Sequence, residues 1–111
     1  MQLPETILNQ IKGAWSKLTR QVILKLVYAA EDDNVTAHRD FLKAFAPLND
    51  NVTVREEIIA GQSPHVEVWT VPDGETIRVF SGIAFQGIPL GHELTSFVLA
   101  PLAATGAARM P

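Results

Sequence analysis

The chain reads as a single α/β domain, and three observations carry that reading. Gln21 to Ala29 is a nearly unbroken apolar run, the pattern of a strand buried on both faces. Pro64 stands immediately before an alternating strand-like run, Val66 to Val71. The rigid turn Gly87-Ile88-Pro89-Leu90-Gly91 feeds His92-Glu93, after which Leu94, Phe97, Val98 and Leu102 recur at helical spacing. The element order is α-β-α-β-β-β-α. The β-α-β unit must be parallel and right-handed, with its helix on one face. The later hairpin is antiparallel, and the first and last helices are free to cover the other face. The expected architecture is three-layered, α/β/α, around a mixed four-stranded sheet with an extra N-terminal helix.

Each element has a local cause. Residues 4–18 form a helix, with Pro4 suited to its first turn and Glu5 to its positive end. Ile7, Leu8, Ile11, Trp15 and Leu18 share one face, and Gly13 lies opposite. The strand after it is central, with Lys25 snorkelling to an end of the sheet. Glu31-Asp32-Asp33-Asn34 is a turn, and Asp33, Asn34 or Thr36 caps a helix running from Val35 or Thr36 to Ala46. Phe41, Leu42 and Phe45 point inward, leaving His38, Arg39, Asp40 and Lys43 in water. Pro47 and Asn49-Asp50-Asn51 end that helix. Residues 52–59 form a second strand whose charges place it at an edge. In the third strand, Val66, Val68 and Thr70 alternate with Glu67, Trp69 and Val71, which sets Trp69 on the opposite face, either in the core beneath a helix or as an exposed aromatic anchor for a partner. Pro72-Asp73-Gly74-Glu75 is a turn. The fourth strand runs from Thr76 towards Phe85, with a bulge at Gly82. The last helix spans His92 to Ala104, and Pro101 predicts a kink or early end. The domain occupies residues 1–104, and 105–111 form a flexible tail or linker stub.

Composition removes several function classes. A chain of 111 residues with 47% apolar content can bury a core. Its net charge of −3, with both signs interspersed, argues against nucleic acid or an anionic membrane as partner. No apolar run is long enough to span a bilayer, and the start lacks a signal-peptide profile, so a cytoplasmic location is expected. There is no cysteine. Disulfides, thiolate metal ligands, a cysteine nucleophile and dithiol redox chemistry are all excluded within this chain.

The remaining candidates are weak as catalysts. Glu31, Asp32 and Asp33 gather where a helix begins, which suits capping and dipole compensation better than a metal. His38, His65 and His92 are scattered, and a metal would need them to converge. Ser63 and Ser81 lack a nucleophile-elbow context and an evident base. The glycines Gly82, Gly87 and Gly91 are not followed by the Lys-Ser/Thr of a phosphate loop. No catalytic, cofactor or metal residue is expected.

The order of elements, Pro64 before the third strand and the Gly-Ile-Pro-Leu-Gly-His-Glu helix start together resemble the thioredoxin/glutaredoxin superfamily. More narrowly they are similar to the first of two tandem thioredoxin-fold units at the N-terminus of the F component of alkyl hydroperoxide reductase, a flavoprotein disulfide reductase. Archaeal glutaredoxin-like protein disulfide oxidoreductases share a similar segment. The resemblance runs from about Ile7 to Leu102 and is most specific from Gly87 to Ala100. It implies that Asp32-Asp33-Asn34-Val35 hold the place of the redox Cys-x-x-Cys. It implies a match to the redox-silent first unit, since the second carries the cysteines. Pro64 matches the cis-proline, so Ser63, Pro64 and His65 would border a peptide groove, with Gly87, Pro89, Gly91, His92 and Glu93 as a structural turn and helix start. The implied role lies in cell redox homeostasis. The module would bind a protein partner: a disulfide reductase, a peroxiredoxin or a second copy. The alternative is the first unit, or a separately encoded part, of a larger disulfide reductase of that type.

Overall fold

The computed structural model describes residues 4–71, 77–88 and 92–105. Its elements are α1 (Glu5–Trp15), β1 (Val22–Tyr28), α2 (Asp33–Lys43), a short 3-10 turn (Ala46–Leu48), β2 (Val52–Ile58), β3 (His65–Thr70), β4 (Val79–Phe85) and α3 (His92–Ala104). The sheet order is β2-β1-β3-β4. β1 runs parallel to β2 and antiparallel to β3, and β4 is antiparallel to β3. This is the expected thioredoxin-like α/β fold, with β1 in the centre and β2 at an edge.

Helix ends follow local hydrogen bonding. α1 stops at Trp15, short of the expected Leu18, because Ser16 Oγ donates to the Gly13 carbonyl at 2.6 Å and breaks the register. The freed carbonyls beyond it are satisfied from a distance. Asn49 Nδ2 donates to Trp15 O at 2.8 Å, and Asn51 Nδ2 donates to Leu18 O at 3.1 Å. The residues that end α2 therefore also finish α1. α2 begins two residues earlier than expected, because Asp32 is its cap: Oδ1 accepts the Val35 amide at 2.8 Å. α3 continues past Pro101, which loses only one amide near the helix end, and Thr105 closes it by donating from Oγ1 to Pro101 O at 2.8 Å. Thr105 is buried. Residues 106–111 lie outside the described residues.

The bulge on β4 falls where glycine permits it. Pairing runs Val68 with Ile83 and then Trp69 with Phe80, leaving Ser81 and Gly82 extra, with Gly82 at φ 89°. Ser81 Oγ donates to the Val68 carbonyl, which fills part of the broken ladder.

All three helices share one core. Val22, Leu24, Leu26, Tyr28, Val66 and Val68 present one sheet face, and Trp15, Phe41, Phe45 and Phe97 pack over it. Phe97 of α3 is fully buried, with its ring 5.3 Å from Phe41, 5.0 Å from Phe45 and 5.4 Å from Phe85. Trp15 of α1 lies 5.8 Å from Phe45 and donates its indole N–H to Val98 O at 2.8 Å. The expected third layer is not filled among the described residues. The first and last helices, expected opposite α2, pack on its face instead, because Trp15 and Phe97 meet the rings of Phe41 and Phe45 there.

Candidate functional site

Three stretches singled out in the sequence converge on one end of the sheet. Val27 near the end of β1 pairs with His65 at the start of β3, and Val66 pairs with Phe85 at the end of β4. The loop into α2, the Ser63-Pro64 segment and the chain leading towards α3 therefore share that end. Strand direction alone produces the clustering, since β1 and β4 both finish where β3 starts.

Their side chains do structural work. Asp32 caps α2, and its carbonyl accepts from the amide of Thr36 at 3.0 Å and, at 3.2 Å, from the Thr36 hydroxyl. Asp33 and Asn34 are exposed in the first turn, while Val35 is fully buried in the core. Residues 32–35 thus form a capped helix start. Ser63 is exposed, Pro64 half-buried and His65 buried. His65 Nδ1 lies 2.8 Å from Ser63 O, and Nε2 lies 3.0 Å from Glu67 Oε2. Trp69 donates its indole N–H to the other Glu67 oxygen at 2.9 Å. Burial opposes the charge on Glu67, but the bonds from His65 and Trp69 outweigh it and hold the carboxyl below its ordinary value.

Three expectations change here. The Ser63-Pro64 peptide is trans, not cis. Trans is the lower-energy form of an X-Pro bond, and the chain reversal is already made at Gly61. His38 is 1% exposed rather than in water. Counting from Val35, the helix repeat sets residue 38 on the same inward stripe as Phe41 and Leu42. Its Nδ1 donates to Asn34 O at 2.8 Å, and Nε2 is buried without a partner among the described residues. Trp69 is half-buried on the uncovered sheet face, 5.5 Å from Phe80, with no described helix above it. Gly87 is exposed and Glu93 opens α3 exposed, whereas Pro89, Gly91 and the His92 side chain lie outside the described residues.

The principal electrostatic feature of this end escaped the sequence reading. Arg39 of α2 binds Glu31 of the loop and Glu56 of β2, its Nε donating to Glu56 Oε2 at 2.9 Å. Tyr28 donates from its hydroxyl to Glu56 Oε1 at 2.9 Å and to Glu31 Oε1 at 3.2 Å. Hydrogen bonds from Arg39 hold Glu31 and Glu56 below the ordinary carboxylate value, and Arg39 is held above its own. The hydrogen bond to Glu56, with burial, pushes the Tyr28 phenol up. Tyr28, Glu31 and Arg39 come from one stretch but Glu56 comes from the next strand, so no motif announces the set. The one available signal was the i, i+4, i+8 spacing of Glu31, Val35 and Arg39 into α2. The guanidinium is saturated by carboxylates, so the cluster fastens α2 to the sheet. No group of three or more metal-ligating side chains occurs among the described residues.

Two described cavities lie elsewhere. An apolar cleft of about 200 Å³ separates α1 from α3, lined by Ile7, Ile11, Leu94, Val98 and Leu99 among others. A polar cavity of about 460 Å³ runs along β2. Ser63, Pro64 and His65 line neither.

The fold defines the class: the chain has a thioredoxin-like α/β fold, consistent with the thioredoxin-like superfamily. Within it the chain is similar to the N-terminal domain of the alkyl hydroperoxide reductase AhpF. The solved N-terminal domain of that protein from Enterococcus faecalis superimposes with a TM-score of 0.79 at 26% identity, covering 99% of this chain and 56% of the other. AhpF of Staphylococcus epidermidis is 36% identical over 77 residues, 69% of this chain and 14% of that protein. A Bacillus subtilis protein named NADH dehydrogenase is 33% identical over 106 residues, 96% of this chain and 19% of that protein. The chain thus spans less than a fifth of the curated relatives it matches. No protein-family model matches it. No described helix is long and apolar enough to cross a membrane.

Proposed function

We propose that this chain is a redox-silent thioredoxin-fold module that docks a protein partner in a cytoplasmic peroxide- or disulfide-reducing system. The observation that carries the reading is the absence of cysteine, combined with a capped helix start where the resemblance would put the redox motif. A fold of this class without its thiols has no dithiol to exchange, but it keeps a sheet and loops that can hold another chain. The similarity to AhpF indicates where such a partner is to be sought: a flavoprotein disulfide reductase, a peroxiredoxin or a second copy of this chain. A second reading follows from the short share of the relatives that is covered. In it the chain acts as the first unit, or as a separately encoded part, of a larger disulfide reductase.

The test has two arms. In insulin reduction, the purified chain should give no turnover above a protein-free blank. In analytical ultracentrifugation against the host's disulfide reductase, its peroxiredoxin and the chain alone, one association should appear. Reductase turnover, or no association in any of the three mixtures, overturns the reading.

A further inference from the structure

The cavity along β2 gathers cations from three places in the fold. Lys25 of β1 and Arg55 of β2 are in direct register on the uncovered sheet face. Arg78, which precedes β4 at the opposite edge of the sheet, lines the same space. Like charges directly opposite one another on neighbouring strands are unfavourable. Lys25 is partly compensated, because it pairs with Glu57 and its Nζ sits 4.5 Å above the Trp69 ring. The other lining carboxylate, Glu56, is committed to Arg39 and Tyr28. Glu67 is bonded to His65 and Trp69. Arg55 and Arg78 make no hydrogen bond or ion pair among the described residues. Among the described residues, two guanidinium groups without a carboxylate partner thus face one cavity on a protein whose net charge is −3.

Beside that cavity lies an apolar ledge. Trp69 and Phe80 pack with their rings tilted by 36° and centroids 5.5 Å apart, and Phe80 is 42% exposed. Lys25 joins the two regions, since it lines the cavity and covers Trp69. We propose that the uncovered sheet face docks an acidic segment of the partner protein, with carboxylates on Arg55 and Arg78 and an adjacent apolar residue on Trp69 and Phe80. This rests on the docking-module reading and adds the chemistry of the partner. The guanidinium fork suits carboxylates, and the ledge gives a peptide something that a free anion would not use.

The probe is a capped peptide of glutamates and leucines, titrated into the isotopically labelled chain and followed by amide shifts. The expected result is perturbation at Lys25, Arg55, Trp69, Arg78 and Phe80, weakened by added salt. Arg55→Ala and Arg78→Ala should each weaken binding about threefold, and the pair about tenfold, as for exposed ion pairs. Glu57→Gln should tighten binding by removing the competing carboxylate. These residues are exposed or half-buried, and unchanged amide spectra elsewhere will show that the variants fold. A matching lysine-leucine peptide should not bind. Inorganic phosphate giving the same shifts at equal affinity would overturn the proposal in favour of a small-anion site. Equal binding of the glutamate-leucine peptide by the double variant would also overturn it. If one of the three purified proteins associates with the wild-type chain and with Arg55→Ala/Arg78→Ala equally, the docking reading stands and this inference falls. If none associates, the docking reading itself fails.

Discussion

The two faces of the sheet are built by opposite means. On the covered face, Leu24, Leu26, Val66 and Val68 lie under an aromatic cluster drawn from α2, its C-terminal turn and α3. On the other, Ile23 and Val27 of the same strand are 4% and 1% exposed with no described helix above them. Register explains their burial. Ile23 lies between Thr53 and Trp69, and Val27 between Glu57 and His65, so long or wide neighbours on flanking strands roof them. Burial of a central strand therefore does not require a second helical layer. It also leaves a face whose outermost groups are charged and aromatic.

The largest test of this contrast is truncation at each face. Phe97→Ala removes the ring shared by Phe41, Phe45 and Phe85 and should cost about 3–5 kcal/mol, read as a denaturant midpoint. Trp69→Ala on the uncovered face should cost about 1–2 kcal/mol, chiefly its packing on Phe80 and its roof over Ile23. Equal costs would mean that the second face is also a closed core.

Gly13→Ala should raise stability by about 1 kcal/mol, because α1 is helical there and an added methyl meets no atom within 4 Å. His38→Leu tests a flaw inside the covered core. It removes a buried nitrogen that has no partner, so stability should stay within about 1 kcal/mol of wild type or rise. A loss as large as that of Phe97→Ala would show that Nε2 is satisfied in solution.

The smallest expected effect is on acid stability. Glu31, Glu56 and Glu67 titrate below the ordinary value of 4.5 in the folded chain. Groups depressed in this way stabilise the fold fully above that value, and their contribution fades as pH falls through the folded values. Urea midpoints should therefore be flat above pH 4.5 and decline below it. Arg39→Gln should flatten that decline, because it releases Glu31 and Glu56 together.

What the sequence alone determined is local. The order of helices and strands, the central place of β1, the charged edge at β2 and the bulge at Gly82 follow from side-chain periodicity and backbone allowance within a few residues. The lack of thiol chemistry follows from composition. Phe97 was legible as core from its spacing to Leu94 and Val98. The inward turn of His38 was legible too, had the apolar stripe been counted from Val35. The tertiary structure alone decided which face of the sheet the helices would share. β1 is apolar on both sides and does not distinguish them, and the choice is made by rings that meet across α1, α2 and α3. It also decided the charge clusters. Arg39 finds Glu31 and Glu56, and Arg78 reaches the cavity of Lys25 and Arg55, only because the strand order brings distant segments within a few ångströms. Such pairings depend on distance in space, and sequence spacing carries no record of it.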